Sequence, residues 1–195
     1  MEYTDARIWK FVDKALYLKQ EPGSGLKSGL TTDITIRRFG PNDLGSVMEI
    51  NRTCLPENYS SSFFLEVHAK FPEGFLVAVN SDQVIAYIMC RVERGFSETS
   101  RFRFVRKGHV ISIAVLPEYR RKGIGSELVR QAEKSLIEKE SEECFLEVRA
   151  SNKAAQELYN ALEFRETRKI PFYYQNGEEA IVMTKTLVQI PSSRD

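Results

Sequence analysis

The sequence predicts an α/β fold of the α+β kind, a mixed central sheet of about seven strands with flanking helices. Three observations carry this. Short β-branched runs alternate with segments whose apolar residues recur at helical spacing. Their order along the chain is β-α-α-β-β-β-α-β-α-β-β, with hairpins at both ends and helical crossovers between. A glycine turn, Gly123-Ile124-Gly125, joins the most apolar strand to a helix, a junction that binds anions.

Taken in order, Ile8, Phe11, Val12, Ala15 and Leu16 lie on one face of a short amphipathic helix. Residues 21–29, rich in glycine and serine, read as a linker. Residues 1–32 are thus an appendage, 33–188 the domain and 189–195 a tail. The domain opens with an alternating strand at 34–38. Pro41-Asn42-Asp43 starts a helix carrying Leu44, Val47, Met48 and Ile50. A proline-containing break at 53–59 separates it from a second helix with Phe63, Phe64, Val67 and His68. Residues 75–79 form a buried strand, and Asn80-Ser81-Asp82 turns it into a partner at 84–92. Residues 93–107 read as a long polar loop holding Arg94, Arg101, Arg103, Arg106 and Lys107. Residues 109–115 are apolar and β-branched, a buried strand that His109 begins. Leu128, Val129, Ala132, Leu136 and Ile137 mark the next helix. Residues 144–149 are a strand, and Ser151-Asn152 caps a helix containing Ala155, Leu158, Tyr159 and Leu162. Residues 164–169 and 180–187 are strands around an Asn176-Gly177 turn.

The chain of 195 residues suits one domain plus an appendage. A net charge of +1 argues against a general nucleic-acid binder. Cys54, Cys90 and Cys144 are odd in number and far apart, and two lie in apolar runs, so they read as buried thiols in a reducing cytoplasm. No apolar run approaches the ~20 residues of a membrane span.

The turn after residue 115 has the composition of a diphosphate site. Gly123 and Gly125 let backbone approach an anion, the helix start supplies free N–H groups, and Arg120, Arg121 and Lys122 add charge. It is neither a P-loop nor a GxGxxG fingerprint, since Leu128 stands where the last glycine would be. A plain strand-turn-helix with a solvated basic turn is the alternative. The pattern Arg120-x-x-Gly123-x-Gly125 resembles the acetyl-CoA signature of the GCN5-related N-acetyltransferase (GNAT) superfamily. Leu55-Pro56-Glu57-Asn58-Tyr59, Arg106-Lys107-Gly108-His109, Leu146-Glu147-Val148-Arg149, Ser151-Asn152, Tyr173-Tyr174 and Asn176-Gly177-Glu178 narrow the likeness. Together they resemble catalytic subunits of protein Nα-acetyltransferases, of the archaeal RimI-like, NatA-type group.

The resemblance implies a GNAT fold with splayed central parallel strands, the slot between them taking acetyl-CoA. Backbone of Ile113, Ala114 and Val115 would meet the pantetheine arm and the thioester oxygen. N–H groups of Arg121, Lys122, Gly123, Ile124, Gly125 and Ser126 would hold the pyrophosphate. Asn152, Ala155 and Tyr159 would line the far side, with Tyr159 giving a proton or a hydrogen bond to the departing sulfur. Leu55, Glu57 and Tyr59 would form one wall of a peptide groove, Tyr173 and Tyr174 the other, with Ile113 at its floor. Adjacent tyrosines in an extended strand point oppositely, so one of the two is expected to touch substrate.

The implied reaction moves acetyl from acetyl-CoA to the α-amino group of protein or nascent-peptide N-termini, with direct attack in a ternary complex. A free α-amine has a pKa of about 7.7–8.0 and lysine about 10.4, so near pH 7 roughly a tenth of the former but well under a thousandth of the latter is neutral. A weak base working through water therefore suffices. Glu57 and His109 are the candidates, His109 lying on the face of Ile111 and Ile113. Glu147 on the next strand can orient the imidazole or join it in binding zinc, though two ligands are too few to predict a metal. Arg149 pairing with Glu147 is the other arrangement. Acetylation of lysine or a small amine, a non-catalytic coenzyme A module, and RNA binding through the arginine loop are the competing readings. The resemblance implies protein or nascent-peptide N-termini as partners, with the ribosome a further candidate. A monomer or homodimer is expected, and the cysteines, apolar runs and charge read above imply a cytoplasmic protein without membrane or nucleic-acid contact.

Overall fold

A computed structural model of the protein describes residues 34–100 and 102–187. The amphipathic segment and linker within 1–32, Arg101 and the tail at 189–195 lie outside the described residues. The strands are β1 (Ile34–Arg38), β2 (Phe75–Asn80), β3 (Gln83–Phe96), β4 (Phe104–Val115), β5 (Glu143–Arg149), β6 (Arg165–Ile170) and β7 (Ala180–Thr186). The helices are α1 (Leu44–Cys54), α2 (Ser61–Lys70), α3 (Ile124–Glu138) and α4 (Lys153–Ala161). Among the described residues none is long and apolar enough to cross a membrane.

Local chemistry sets the helix starts. Asp43 ends the short 3-10 turn before α1, where its carboxylate accepts the Gly40 N–H at 2.8 Å and two Arg37 hydrogen bonds at 2.7 and 2.8 Å. The Arg37 hydrogen bond, with the Gly40 N–H, holds the Asp43 carboxyl below its ordinary pKa. Ser60 caps α2 by accepting from Phe63 N–H at 3.3 Å, and Asn152 caps α4 by accepting from Ala155 N–H at 3.1 Å.

The sheet runs β1-β2-β3-β4-β5-β7-β6, and β4–β5 is its parallel junction. Helices α1 and α2 cover one face, where Val47, Ile50, Phe64 and Val67 meet Phe75, Val77, Tyr87 and Met89. Helices α3 and α4 cover the other, where Leu128, Val129, Leu136 and Tyr159 meet Ile88, Cys90, Val110 and Leu146. Cys54, Cys90 and Cys144 are free thiols, the latter two buried.

Among the described residues the expected long loop before His109 is absent. Residues 93–107 are not a long loop, because β3 continues to Phe96 and β4 already begins at Phe104. The ladder pairs Arg94 with Arg106, Gly95 with Val105 and Phe96 with Phe104. Polar pairing holds this extension, together with the buried Val105 and the Phe96–Phe104 ring contact at 5.7 Å. Lys107 donates to Glu98 at 2.9 Å, and the buried Glu143 carboxylate accepts from Glu98 N–H at 2.8 Å and Thr99 Oγ1 at 2.6 Å. Arg103 pairs with Glu142, and Arg106 with Glu140 at 2.9 Å, so much of the basic charge is neutralised within the chain. His109 consequently lies inside β4, not at its start.

Gly108 lies where β4 passes under α3. A Cβ there would sit 2.4 Å from Leu136 Cδ1, and Leu136 is fully buried. Gly108→Ala is expected to destabilise the fold by about 1–3 kcal/mol through overpacking. A urea melt checks this; an unchanged midpoint would mean that α3 yields freely.

Candidate functional site

The site begins where two strands part. β4 and β5 pair only over Lys107–Glu143, Gly108–Cys144 and His109–Phe145. Beyond that, β4 continues through Val115 bonded to β3 alone, so its other edge carries backbone N–H and C=O groups without a strand neighbour. This is the splayed pair that the resemblance implies.

A bulge alters which side chains face which way. Cys90 pairs with Val110 and Met89 with Ser112, so Ile111 is an extra residue in β4. Val110, Ile113 and Val115 pack with the α3/α4 layer, whereas Ile111 and Ala114 pack with α1 and α2. Gly108 faces Leu136 of α3, so its neighbour His109 faces the α1/α2 side. His109 and Ile111 therefore share a face, but Ile113 does not. Strict alternation places it wrongly because the extra residue breaks the period.

Below the freed edge lies the glycine turn. Arg120 Nε donates to the Val115 carbonyl at 2.9 Å, pinning the turn to the strand end. Arg121 and Gly123 both adopt left-handed backbone, φ 61° and 82°. Glu127 N–H makes its bond to the Gly123 carbonyl at 3.0 Å, so the amides of Ile124, Gly125 and Ser126 precede it with no intrahelical acceptor. A Cβ on Gly125 would meet only Leu158 at 3.6 Å and Val115 at 3.9 Å, which is ordinary contact. Among the described residues nothing demands glycine there.

Asn152 spends its side-chain oxygen on the α4 cap, and Ala155 rests partly buried against the core. Tyr159 is 6% exposed, its ring 5.8 Å from Phe164. Burial, then the nearby Cys144 and Cys90, pushes its phenol pKa well above the ordinary value.

The opposite side of the site is a polar groove. His109 Nε2 lies 2.7 Å from the Glu147 carboxylate, so Nε2 carries the hydrogen, and the imidazole stacks on Phe145 at 4.4 Å. His109 Nδ1 is buried and has no partner among the described residues. Burial raises the Glu147 pKa, but the His109 hydrogen bond and the charges of His109, Arg168 and Arg91 bring it below the ordinary value. Arg149 does not pair with Glu147. It donates to Glu57 and, at 2.8 Å, to Glu178, and its guanidinium lies 3.8 Å from the Tyr174 ring centroid. The strand register cannot announce this pairing, because Glu57 is 92 residues away in sequence.

Tyr173 and Tyr174 meet edge-to-face at 5.0 Å. They lie in the turn between β6 and β7, after Phe172 in left-handed backbone, φ 54°, so the opposite-face rule for extended chain does not apply. Both sense Glu57 and Glu147 electrostatically, and burial is the main cause of their raised pKa values. Tyr59 is raised by burial and then by Tyr87, Glu57, Tyr173 and Tyr174, which puts it in the same cluster. Leu55 packs partly buried against the α1/α2 core. These interactions bring Glu57, Tyr59, Tyr173, Tyr174 and Glu147 into one cluster, which His109 joins through Glu147; Leu55 lies in the neighbouring core. Sequence reasoning missed Arg149 as the tie between the walls, and Asn51 beneath them. The available signal for Asn51 was a polar residue beside Ile50 and Val47 on the buried face of α1.

Among the described residues, no group of three or more His, Cys, Asp or Glu side chains could hold a metal ion. His109 and Glu147 are a pair with no third donor, which does not fit zinc.

Comparison with known proteins follows the same lines. The sequence profile of the Acetyltransferase (GNAT) family matches residues 44–164. An N-alpha-acetyltransferase of Saccharolobus solfataricus is 43% identical over 157 residues, 80% of this chain and 94% of that protein. The crystal structure of Ard1 from Thermoplasma volcanium superposes with a TM-score of 0.70 at 30% identity, covering 80% of this chain and 98% of that one. Chaetomium thermophilum Naa20 in complex with a bisubstrate analogue superposes with a TM-score of 0.70 at 28% identity, covering 83% and 94%.

Glu178 tests the groove's closure by pH. Hydrogen bonds from the Ser151 side chain and backbone, with Arg149, bring it from 4.5 down to about 2. A depressed folded pKa stabilises above the unfolded value and is lost as pH falls through the folded one. Glu178→Gln is therefore expected to lower stability above pH 4.5 and to flatten the acid-side loss between 4.5 and 2. Denaturant melts across that range check it; identical slopes for variant and parent would refute it.

Proposed function

This chain belongs to the acetyltransferase (GNAT) family, and from that membership and the groove geometry we propose that it acetylates the α-amino group of protein or peptide N-termini, using acetyl-CoA. The observation that carries the reading is the freed edge of β4 between the Gly123–Gly125 turn and the tyrosine-lined groove. It offers one strand to two ligands arriving from opposite faces of the sheet.

Acetyl-CoA lies along Ile113, Ala114 and Val115, with its pyrophosphate on the amides of Arg121, Lys122, Gly123, Ile124, Gly125 and Ser126. Asn152, Ala155 and Tyr159 border the far side of the slot. A peptide N-terminus enters between Leu55, Glu57 and Tyr59 on one wall and Tyr173 and Tyr174 on the other, with Ile113 backbone at the floor. The neutral amine nitrogen attacks the thioester carbonyl, and its N–C bond forms as the C–S bond breaks. The proton passes through water to His109, whose Glu147 partner stabilises the imidazolium. Glu57, engaged by Arg149, shapes the pocket for the first residue and is a second acceptor for that proton. A thiol has a pKa of about 8.5, and Tyr159 is held above the ordinary phenol value of about 10, so proton transfer to the thiolate runs uphill. Tyr159 therefore offers the departing sulfur a hydrogen bond rather than a proton.

Acetyl-CoA turnover across peptides starting with Ser, Ala and Met tests the reaction, with N-terminally blocked, Lys-containing peptides as controls. Turnover of free N-termini alone is expected; preference for the blocked peptides would overturn the reading. Glu57→Val is expected to change the ranking of first residues, and an unchanged ranking would remove Glu57 from specificity. Gly125→Ala separates fold from ligand. Helix propensity gains up to about 1 kcal/mol, while the acetyl-CoA KM rises about tenfold as the methyl occupies the diphosphate's approach. An unaltered KM would dislodge the pyrophosphate from this turn.

A further inference from the structure

A chain of buried hydrogen bonds runs from β4 to the groove wall. Asn51, 1% exposed on α1, donates from Nδ2 to the Tyr87 hydroxyl at 3.0 Å and to the Glu57 carbonyl at 3.1 Å. Its Oδ1 accepts from the Tyr59 N–H at 3.3 Å. Both amide hydrogens are thereby used. The Tyr87 hydroxyl, having accepted from Asn51, shares a second hydrogen bond with Ser112 Oγ at 2.7 Å. Tyr87 is fully buried, and Ser112 directly follows the extra residue Ile111 in the bulge.

We infer that Asn51 and Tyr87 are positioning residues that set the Glu57–Tyr59 wall at a fixed height above the bulged strand. The inference rests on the reading of that groove as the N-terminal peptide site. Residues 55–60 contain neither helix nor strand, so their backbone needs partners from elsewhere. Asn51 supplies them on both sides of Asn58, and Tyr87 ties the same amide to the strand that presents the thioester. Attack requires the amine within about 3–3.5 Å of its target, and a misplacement of about 1 Å can cost a hundredfold. Apolar side chains would fill the core at least as well, because buried polar chains rarely exceed packed hydrocarbon in net stability. All three Asn51 bonds leave its own helix, joining α1 to two other segments.

The test uses the full chain with Tyr87→Phe and Asn51→Leu. Tyr87→Phe removes one oxygen and keeps the ring, so it carries the test even where Asn51→Leu does not fold. Peptide and acetyl-CoA kinetics are measured separately, and amide exchange of residues 55–60 is followed by mass spectrometry without substrates. Peptide kcat/KM is expected to fall about tenfold to a hundredfold, with the acetyl-CoA KM unchanged. Exchange across 55–60 is expected to accelerate about tenfold while α3 keeps its protection. Parallel shifts in both substrates' KM values, or unaltered exchange at 55–60 in Tyr87→Phe, would overturn the inference. Should the parent protein acetylate no free N-terminus, the proposed function fails, and the exchange measurement alone decides the role of Asn51 and Tyr87.

Discussion

The parting of β4 from β5 after His109 is the constraint on which the site depends. Two parallel strands that stayed paired would satisfy each other's backbone and leave no edge for a ligand. The bulge at Ile111 gives a physical cause. An extra residue increases local twist and re-aims the strand. It falls two residues after the last parallel pair, where the His109 ring stacks on Phe145 and holds the strands together. The junction is thus clamped at one end and twisted open at the other. Helix α3 starts below the opening because Arg120 fastens its approach to the Val115 carbonyl.

The two walls above the opening are joined by Arg149. It engages Glu57 from the α1–α2 connection and Glu178 from the β6–β7 connection, beneath the ring of Tyr174. Half-buried ion pairs contribute little net stability once desolvation is counted, so their value here is geometric. A planar guanidinium with several donors can hold two carboxylates in fixed directions, which an ammonium does less well. Arg149 thus ties the two connections side by side, while the Asn51 amide holds the backbone of Glu57 and Tyr59 from below.

The fold was legible wherever apolar periodicity marked a buried face. Helix α3 declared itself through Leu128, Val129, Ala132 and Leu136, all buried on one side. The long hairpin after Val92 was not legible, because the inward position after Val105 carries Lys107, paired with Glu98, instead of an apolar residue, which leaves too short a period-two apolar signal. The bulge had no signature either, since neither Ile111 nor Ser112 is a glycine. In the site, backbone elements such as the Gly123–Gly125 turn were readable, as were the tyrosines. The partners of Arg149 and Asn51 were not, because they come from distant segments that only the tertiary fold brings together.

The acid–base demand of the reaction agrees with what this groove holds. A lysine amine lies about 2.4–2.7 pKa units above an α-amine, which at 1.36 kcal/mol per unit adds roughly 3.3–3.7 kcal/mol to reach the neutral nucleophile. A positioned general base supplies roughly 10²–10⁴-fold, or about 2.7–5.4 kcal/mol. A lysine substrate would absorb most of that contribution before any bond formed. Here the imidazole already commits Nε2 to Glu147 and keeps only Nδ1 for a relayed proton, and Glu57 is engaged by Arg149. An amine that is partly neutral at the outset asks less of either group. An α-amine therefore leaves most of the base's contribution for bond formation, whereas a lysine amine would consume it in deprotonation.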